Sequence, residues 1–183
     1  MPSLVNAETD ERDALLQFLD AQRGALRRAV LGLTDEQAAA HPSASTMSLG
    51  GLVKHAARRE HDWVQVVLMG RQEPQRVQGP EDWADEFQLL PGERLSDVLA
   101  ELDAVARATR EAVAALPTLD VGVALPEAPW FPKDAKRSAR WILLHLIGEQ
   151  ARHAGHADLI RESLDGALEF ELLAQEQSGQ QEG

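Results

Sequence analysis

Three histidines and one glutamate share a face of a helix predicted near the C-terminus. Residues 138–166 contain no proline, and Gly166 falls where a helix would end, so this segment predicts one long helix. At about 100° per residue, a single stripe of that helix is apolar at both ends and polar in its middle. A stripe that only packs into a core would be apolar throughout, so the pattern indicates chemistry. The stripe consists of Ile142, His145, Glu149, His153, His156 and Ile160.

The chemistry that these side chains suit is metal binding, because imidazole and carboxylate are ligands for zinc, nickel and iron. Glu149 and His153 lie one helical turn apart, which puts their Cβ atoms about 5–6 Å from each other. One helix can therefore give two ligands to one ion, as a zincin helix does. The alternative is a surface role, with His153 and His156 facing solvent and Glu149 paired with Arg152 or His153. Four titratable groups on one stripe favour the metal site, whose third ligand must come from elsewhere.

The third ligand is predicted on an earlier helix, residues 48–70, where His55 lies on the inward face. The alternative for His55 is a hydrogen-bonded histidine of the core that binds no ion. Asp62, on the same face, is expected to orient a ligand or to pair with Arg59, whereas His61 is expected to be exposed. The inward face of this helix is predicted to contain Gly51, Leu52, His55, Asp62, Val66 and Met69.

Two further amphipathic helices must help to position these side chains. The first is expected to be capped by Asn6 or Thr9 and to run to about Leu33. Another covers residues 93–116 and ends before Pro117. Four amphipathic helices, long loops and no convincing strand pattern predict an all-α four-helix bundle, an architecture that often builds metal sites from inward-facing side chains.

The bundle is expected to span residues 1–166, followed by a partly disordered C-terminal extension over residues 167–183. Long loops over residues 71–91 and 117–134 connect its helices. The aromatic residues of these loops are expected to cap the core or to line the mouth of a pocket; they are Trp83, Phe87, Trp130 and Phe131.

The composition of the 183 residues limits the possible functions. A net charge of −12 disfavours binding to nucleic acid or to an anionic membrane. The sequence contains no cysteine, which excludes disulfides, a cysteine zinc site and a catalytic thiol of the protein's own. No apolar run is long enough to span a membrane, and the N-terminus lacks the pattern of a secretion signal, so a cytoplasmic location is expected.

Three stretches of the sequence resemble a known superfamily. The run RWILLHLIGEQARHAGHADLIRESLDG, residues 140–166, resembles the signature of the DinB-like superfamily, in its mycothiol-dependent maleylpyruvate isomerase-like branch. SLGGLVKH, residues 48–55, and FQLLPGERLSDVLAEL, residues 87–102, are similar to one uncharacterised bacterial family within it. The resemblance extends from the first helix to Gly166.

This resemblance implies a four-helix bundle that holds one divalent metal ion, zinc or nickel, with three side chains. Most members use three histidines, and a glutamate replaces one of them in the isomerase-like branch. The implied ligands here are His55, Glu149 and His153. At Gly148 relatives often carry a second glutamate, so the charge next to the ligands differs. Further positions that match the motif are His156, Asp158, Arg161 and Glu162.

The resemblance also implies chemistry, because characterised relatives use the metal to bind and deprotonate a small thiol such as mycothiol or bacillithiol. The expected function is therefore a metal-dependent thiol S-transferase that acts on a small-molecule thiol and an electrophile. The second domain that the isomerase needs is expected to be absent. The candidates for a general base are Asp62, His145 and His156.

Two alternatives remain open at the level of the sequence. The ion could activate water instead of a thiol, which would make the protein a metal-dependent hydrolase. The chain could also be a non-catalytic metal-binding bundle that forms a homodimer.

Overall fold

The computed structural model describes residues 5, 10–73, 80–126 and 131–179, and most of these residues are helical. The long helices α1, α3, α5 and α6 form the bundle, in which α1 packs against α6, and α3 packs against both α5 and α6. The predicted all-α fold is confirmed. The helices are α1 (Glu11–Ala29), α2 (Asp35–Ala39), α3 (Leu49–His61), α4 (Pro80–Glu86), α5 (Leu95–Ala115), α6 (Ala139–Asp165) and α7 (Glu169–Gly179).

The ends of several helices follow from local side chains. The Ser48 hydroxyl accepts a hydrogen bond from the Gly51 amide at 3.1 Å and caps α3. Gly166 ends α6 with a φ of 81°, a left-handed conformation that glycine adopts without strain. The predicted start of α1 is wrong, because Asp10 caps this helix; Asn6 and Thr9 lie outside the described residues.

The second predicted helix is not α-helical to its end. After α3 the chain continues as a π-helical segment, Asp62–Leu68. Each π-turn contains about one residue more than an α-turn, so the face that points inward changes. Met69, which a regular α-helix would place inward, is 42% exposed. The side chains that this segment buries are Val64, Gln65 and Leu68.

Two short strands lie in a region predicted to be a loop. The strands β1 (Gly122–Ala124) and β2 (Lys136–Ser138) pair antiparallel, with Gly122 opposite Ser138 and Ala124 opposite Lys136. Because β2 runs directly into α6, this pairing ties the preceding loop to the first turn of the helix that carries Glu149 and His153.

The predicted C-terminal extension contains α7, which lies against α1. Leu172 is buried, and the Arg28 guanidinium pairs with Glu169 at 3.2 Å and with Glu176 at 3.4 Å. The sequence predicts fraying over residues 178–183, but Ser178 and Gly179 belong to α7, and residues 180–183 lie outside the described residues. None of the helices in the described ranges has the length and hydropathy that a membrane span requires.

A buried carboxylate connects the four long helices. Glu60 of α3 is fully buried and accepts two hydrogen bonds from the Arg23 guanidinium of α1, at 2.6 and 2.9 Å. It also accepts a bond from the Thr109 hydroxyl of α5 at 2.5 Å and one from the Gln150 amide of α6 at 3.0 Å. These four bonds tie α3 to α1, α5 and α6, and the bond to α6 comes from Gln150, the residue next to Glu149.

Gly51 lies where the segment that follows α4 crosses α3. A Cβ atom at this position would lie 2.1 Å from the carbonyl carbon and oxygen of Phe87, a distance that no packed structure tolerates. The glycine therefore permits the Phe87 backbone to contact α3, where the Ser48 amide donates a hydrogen bond to the Phe87 carbonyl at 3.0 Å.

The substitution Gly51→Ala is expected to destabilise the protein by about 1–3 kcal/mol, because the methyl group forces the Phe87 backbone away from α3. Gly148→Ala is the matched control, since nothing lies within 4 Å of a Cβ atom there. Alanine at this mid-helix position is expected to stabilise by about 0.5–1 kcal/mol. Urea denaturation measures both variants, and equal stability of the two would contradict the packing argument.

Candidate metal centre

The first candidate ligand, His55, is positioned by α3 and nearly buried, with 2% of its surface exposed. Its Nε2 atom lies 3.3 Å from Oε1 of Glu149 on α6. One face of the imidazole stacks on Phe87, with the ring centroids 4.1 Å apart. The packing of α3 on α6 therefore brings a nitrogen and a carboxylate oxygen together, although 94 positions separate the two residues.

The third candidate, His153, lies one turn after Glu149 and is 9% exposed. Its ring contacts His55 edge to face, with centroids 4.8 Å apart. The ligand atoms of His55, Glu149 and His153 all lie within 4.8 Å of one another. Ligands of a tetrahedral zinc ion bonded at about 2.0–2.1 Å are about 3.3 Å apart, so small side-chain rotations would complete such a site. The structure thus brings together the three side chains named from the sequence.

The electrostatics of His55, Glu149 and His153, the candidate ligand trio, favour the protonation states that bind metal. Burial raises the pKa of Glu149, but hydrogen bonds with His145 and His55 outweigh it and hold that pKa below its usual range. Burial, followed by the nearby His55, lowers the pKa of His153 to about 4 against an opposing effect of Glu149. An ionised carboxylate and a neutral imidazole therefore face each other near neutral pH, as metal ligation requires.

The metal-free protein is expected to lose stability as the pH falls from about 6.5 to about 4. Unfolded His153 takes up a proton near its ordinary pKa of about 6.5, whereas the folded protein does so only at about 4. The unfolded state binds more protons across this window, so the free energy of unfolding falls there by up to about 3 kcal/mol. Urea denaturation in chelator at several pH values measures the fall. His153→Gln should show a shallower fall, and an equal one would contradict this origin.

Several buried imidazole nitrogens have no hydrogen-bond partner among the described residues. They are Nδ1 of His55, Nδ1 of His153 and Nδ1 of His156. Since buried polar atoms are nearly always hydrogen-bonded, three such nitrogens in contacting rings suggest that another group belongs here. The donor set, one carboxylate and two imidazoles whose ligand atoms converge, fits a divalent ion.

The three candidates for a general base occupy different surroundings. His145 lies beside the trio, with Nε2 3.2 Å from Oε2 of Glu149. His156 contacts the His153 ring, with centroids 5.5 Å apart. Asp62 forms an ion pair with Arg59 at 2.7 Å, one of the two roles that the sequence predicts for it.

An aromatic cluster surrounds His145, and its two tryptophans were not anticipated from the sequence as part of the site. Its imidazole stacks on Trp141 at 5.1 Å and meets Trp63 edge to face at 4.8 Å. Phe131 extends the cluster, with its ring 6.1 Å from Trp63, while Trp130 lies outside the described residues. Trp141 precedes His145 by one helical turn, which is the only local signal that the sequence offered. The contact with Trp63 depends on the packing of separate elements.

Sequence reasoning also missed Glu86, which lies on the side of His55 opposite Glu149. Its Oε2 atom is 3.9 Å from Nδ1 of His55, and its side chain is 3% exposed. A cavity of about 440 Å³ borders Glu86, but none of the three candidate ligands lines it. This cavity is lined by Lys54, Arg58, Asp82, Asp85, Glu86 and Leu90.

The other two histidines, His41 and His61, lie outside the candidate metal centre. His61, which the sequence predicts to be exposed, forms an ion pair with Glu73, with Nε2 2.8 Å from Oε2, and its side chain is 18% exposed. His41 is exposed in the loop after α2.

Comparisons with known proteins agree with this architecture. The chain resembles a conserved protein from Enterococcus faecalis of known crystal structure, with a TM-score of 0.58 and 17% sequence identity, over 87% of this chain and 99% of that one. At this identity the likeness shows the fold alone. No curated protein matches the chain. The family model for mycothiol-S-transferases matches residues 14–166, which include all three candidate ligands. The resemblance to the DinB-like superfamily is therefore confirmed, and the chain belongs to the mycothiol-S-transferase family.

Proposed function

We propose that the protein is a divalent-metal-dependent S-transferase that joins a small thiol of the mycothiol or bacillithiol type to an electrophile. In this reaction the thiolate sulfur forms a bond to an electrophilic carbon, and the electron pair of the broken bond leaves with the departing group. The observation that carries the proposal is the convergence of His55, Glu149 and His153 in a member of the mycothiol-S-transferase family.

The three convergent side chains would hold the ion, which in this proposal is zinc or nickel. When bound, the ion would lower the pKa of the cosubstrate thiol so that the thiolate forms near neutral pH. The sulfur must come from the cosubstrate because the chain contains no cysteine. Glu149 also reduces the net charge of the site, since it brings one negative charge to two neutral imidazoles.

The same proposal assigns roles to two of the candidate bases. His145 holds the second oxygen of Glu149 at 3.2 Å and thereby orients this carboxylate. His156, whose buried Nδ1 has no partner among the described residues, is available to accept the thiol proton. Asp62 is the weakest candidate because Arg59 pairs with its carboxylate.

The test begins with the metal content of the purified protein and its binding of zinc and nickel after treatment with chelator. Turnover of a set of electrophiles is then measured with mycothiol or bacillithiol, with glutathione as the comparison thiol. We expect turnover only when both the ion and a thiol are present. Folded protein that binds neither metal nor thiol would refute the proposal.

The same assay distinguishes the two alternatives. Metal-dependent turnover of an ester or amide without thiol would identify a hydrolase, in which the ion activates water. Metal binding without turnover of any kind would identify a non-catalytic bundle.

We also propose that two copies associate as a homodimer. The support is the outer face of α6, where Leu144 is 52% exposed and Leu159 is 63% exposed. Sedimentation velocity of the wild type and of Leu159→Glu tests this, and two monomeric proteins would refute it.

A further inference from the structure

On the side away from Glu149, the imidazole of His55 faces a second carboxylate. Its Nε2 atom faces Glu149 at 3.3 Å, and its Nδ1 atom is buried without a hydrogen-bond partner among the described residues. The acidic oxygen that faces this Nδ1 is Oε2 of Glu86, at 3.9 Å. An imidazole that binds a metal through Nε2 carries its proton on Nδ1 and needs an acceptor there.

Glu86 is firmly held in this position. Its side chain is 3% exposed, and its carboxylate receives hydrogen bonds from Arg58 at 3.0 Å and from Arg59 at 3.4 Å. Two guanidinium groups compensate the charge of a buried carboxylate, and both extend from the helix that carries His55. Glu86 and His55 therefore have fixed relative positions, which random surface pairing would not give.

The backbone next to Glu86 explains why the carboxylate reaches His55. The close approach at Gly51 and the hydrogen bonds at Ser48 anchor the following segment, because the Ser48 hydroxyl also accepts a bond from the Leu89 amide at 2.9 Å. This segment places the Phe87 ring on one face of His55 at 4.1 Å. One short stretch thus supplies both the ring that stacks on the imidazole and the carboxylate at its Nδ1 edge.

We propose that Glu86 is a positioning residue that accepts the Nδ1–H of His55 and directs Nε2 toward the ion. This inference rests on the metal centre of the proposed function. The present separation of 3.9 Å must shorten by about 1 Å to form a normal hydrogen bond. A small rotation of the imidazole on metal binding supplies this change, as hydrogen bonds in metal-free or substrate-free sites are often long.

Glu86→Gln tests the proposal with almost no change in shape. The amide has one acceptor oxygen, which Arg58 engages, so its NH₂ group faces Nδ1 and disfavours the required tautomer. We expect an affinity for zinc about 10–100-fold lower than that of the wild type, measured by competition with a chromophoric chelator. Asp85→Asn is the matched control, because it removes one negative charge from the neighbouring exposed residue and should bind zinc as the wild type does.

A second readout separates positioning from a general effect on folding. In the zinc-loaded wild type, ¹⁵N NMR of the imidazoles should show His55 protonated at Nδ1, and Glu86→Gln should alter this signal. Folding is checked by the thermal melting of the metal-free proteins. If Glu86→Gln does not fold, Glu86→Asp takes its place: it keeps the charge but withdraws the carboxylate, and reduced zinc affinity is again expected.

The outcomes distinguish this inference from the proposed function. If the wild type binds no metal, the proposed metal centre fails. If the wild type binds zinc and a folded Glu86 variant binds it within about twofold, the role of Glu86 is refuted while the metal centre stands. An equal loss of affinity in Asp85→Asn would also refute it, since general charge would then explain the effect.

Discussion

Glu149→Gln is expected to lower the affinity for zinc or nickel by about a hundredfold or more while leaving the bundle folded. Zinc sites of about four ligands have apparent binding free energies of about 10–16 kcal/mol, so one ligand accounts for roughly 3 kcal/mol, or two orders of magnitude. The neutral amide loses the charge that attracts the ion. It also loses the strength of the hydrogen bonds that Glu149 makes with His55 and His145. The Glu149 side chain is 23% exposed, so a polar amide is accommodated there without a large cost.

Isothermal titration of the chelator-treated protein measures this affinity. Glu162→Gln is the matched control, because this carboxylate is exposed on the same helix and lies about two and a half turns beyond His153. Unchanged affinity in Glu149→Gln would show that the trio does not bind the ion. His55→Ala adds a second test: loss of turnover with retained folding supports an enzyme, whereas loss of folding in a protein whose parent shows no turnover supports a structural site.

Glu60→Ala is expected to produce the largest loss of stability, about 3–5 kcal/mol. The Arg23 guanidinium is 2% exposed and would remain buried without its main counter-charge. Burial lowers the pKa of Arg23, but its bonds with Glu60 and Asp20 outweigh that effect and raise it, so the group stays charged in the folded protein. The Thr109 and Gln150 side chains lose an acceptor as well. For a chain of this length, the melting temperature is expected to fall by roughly 10 °C or more.

Thermal and urea denaturation of the metal-free protein measure this change. Glu111→Ala, at an exposed position of α5, is the control and should lie within about 0.5 kcal/mol of the wild type. The double variant Glu60→Leu with Arg23→Met should recover part of the loss, because it removes both buried charges. A Glu60→Ala protein within about 1 kcal/mol of the wild type would contradict the account of the network.

The expected losses of metal affinity and of stability are connected through the packing of α3 on α6. Gln150 follows Glu149 in sequence and donates to Glu60, which lies on the same helix as His55. The network therefore holds the two helices that carry all three candidate ligands. Glu60→Ala should consequently weaken metal binding as well, by a smaller factor than Glu149→Gln.

Local interactions explain the features that could be predicted from the sequence. Glu149 and His153 are one turn apart, and any α-helix brings such a pair to one face. Ser48 and Gly166 act on their own helix ends through hydrogen bonding and a left-handed backbone. His55 was predicted by its place on an inward face before the π-helical turn, where the α-helical period still holds. The binding of a metal by this trio stays a prediction.

Two features of the backbone could not be derived from such local patterns. The π-helical turn changes the inward face after His61. It could not be predicted, because the spacing of hydrophobic residues does not encode its hydrogen-bonding pattern. Pairing of β1 with β2 required two segments that are each too short to show an alternating pattern.

The helical bundle, the family and the candidate metal ligands could all be predicted from the amino-acid sequence, because repeating patterns and local motifs encode them. The burial of Glu60 among four helices and the position of Glu86 beside Nδ1 of His55 are visible only in the folded protein. Charged residues on a helix look alike in sequence whether they face water or a counter-charge. Their roles depend on partners tens of residues away, which helix packing alone brings into contact.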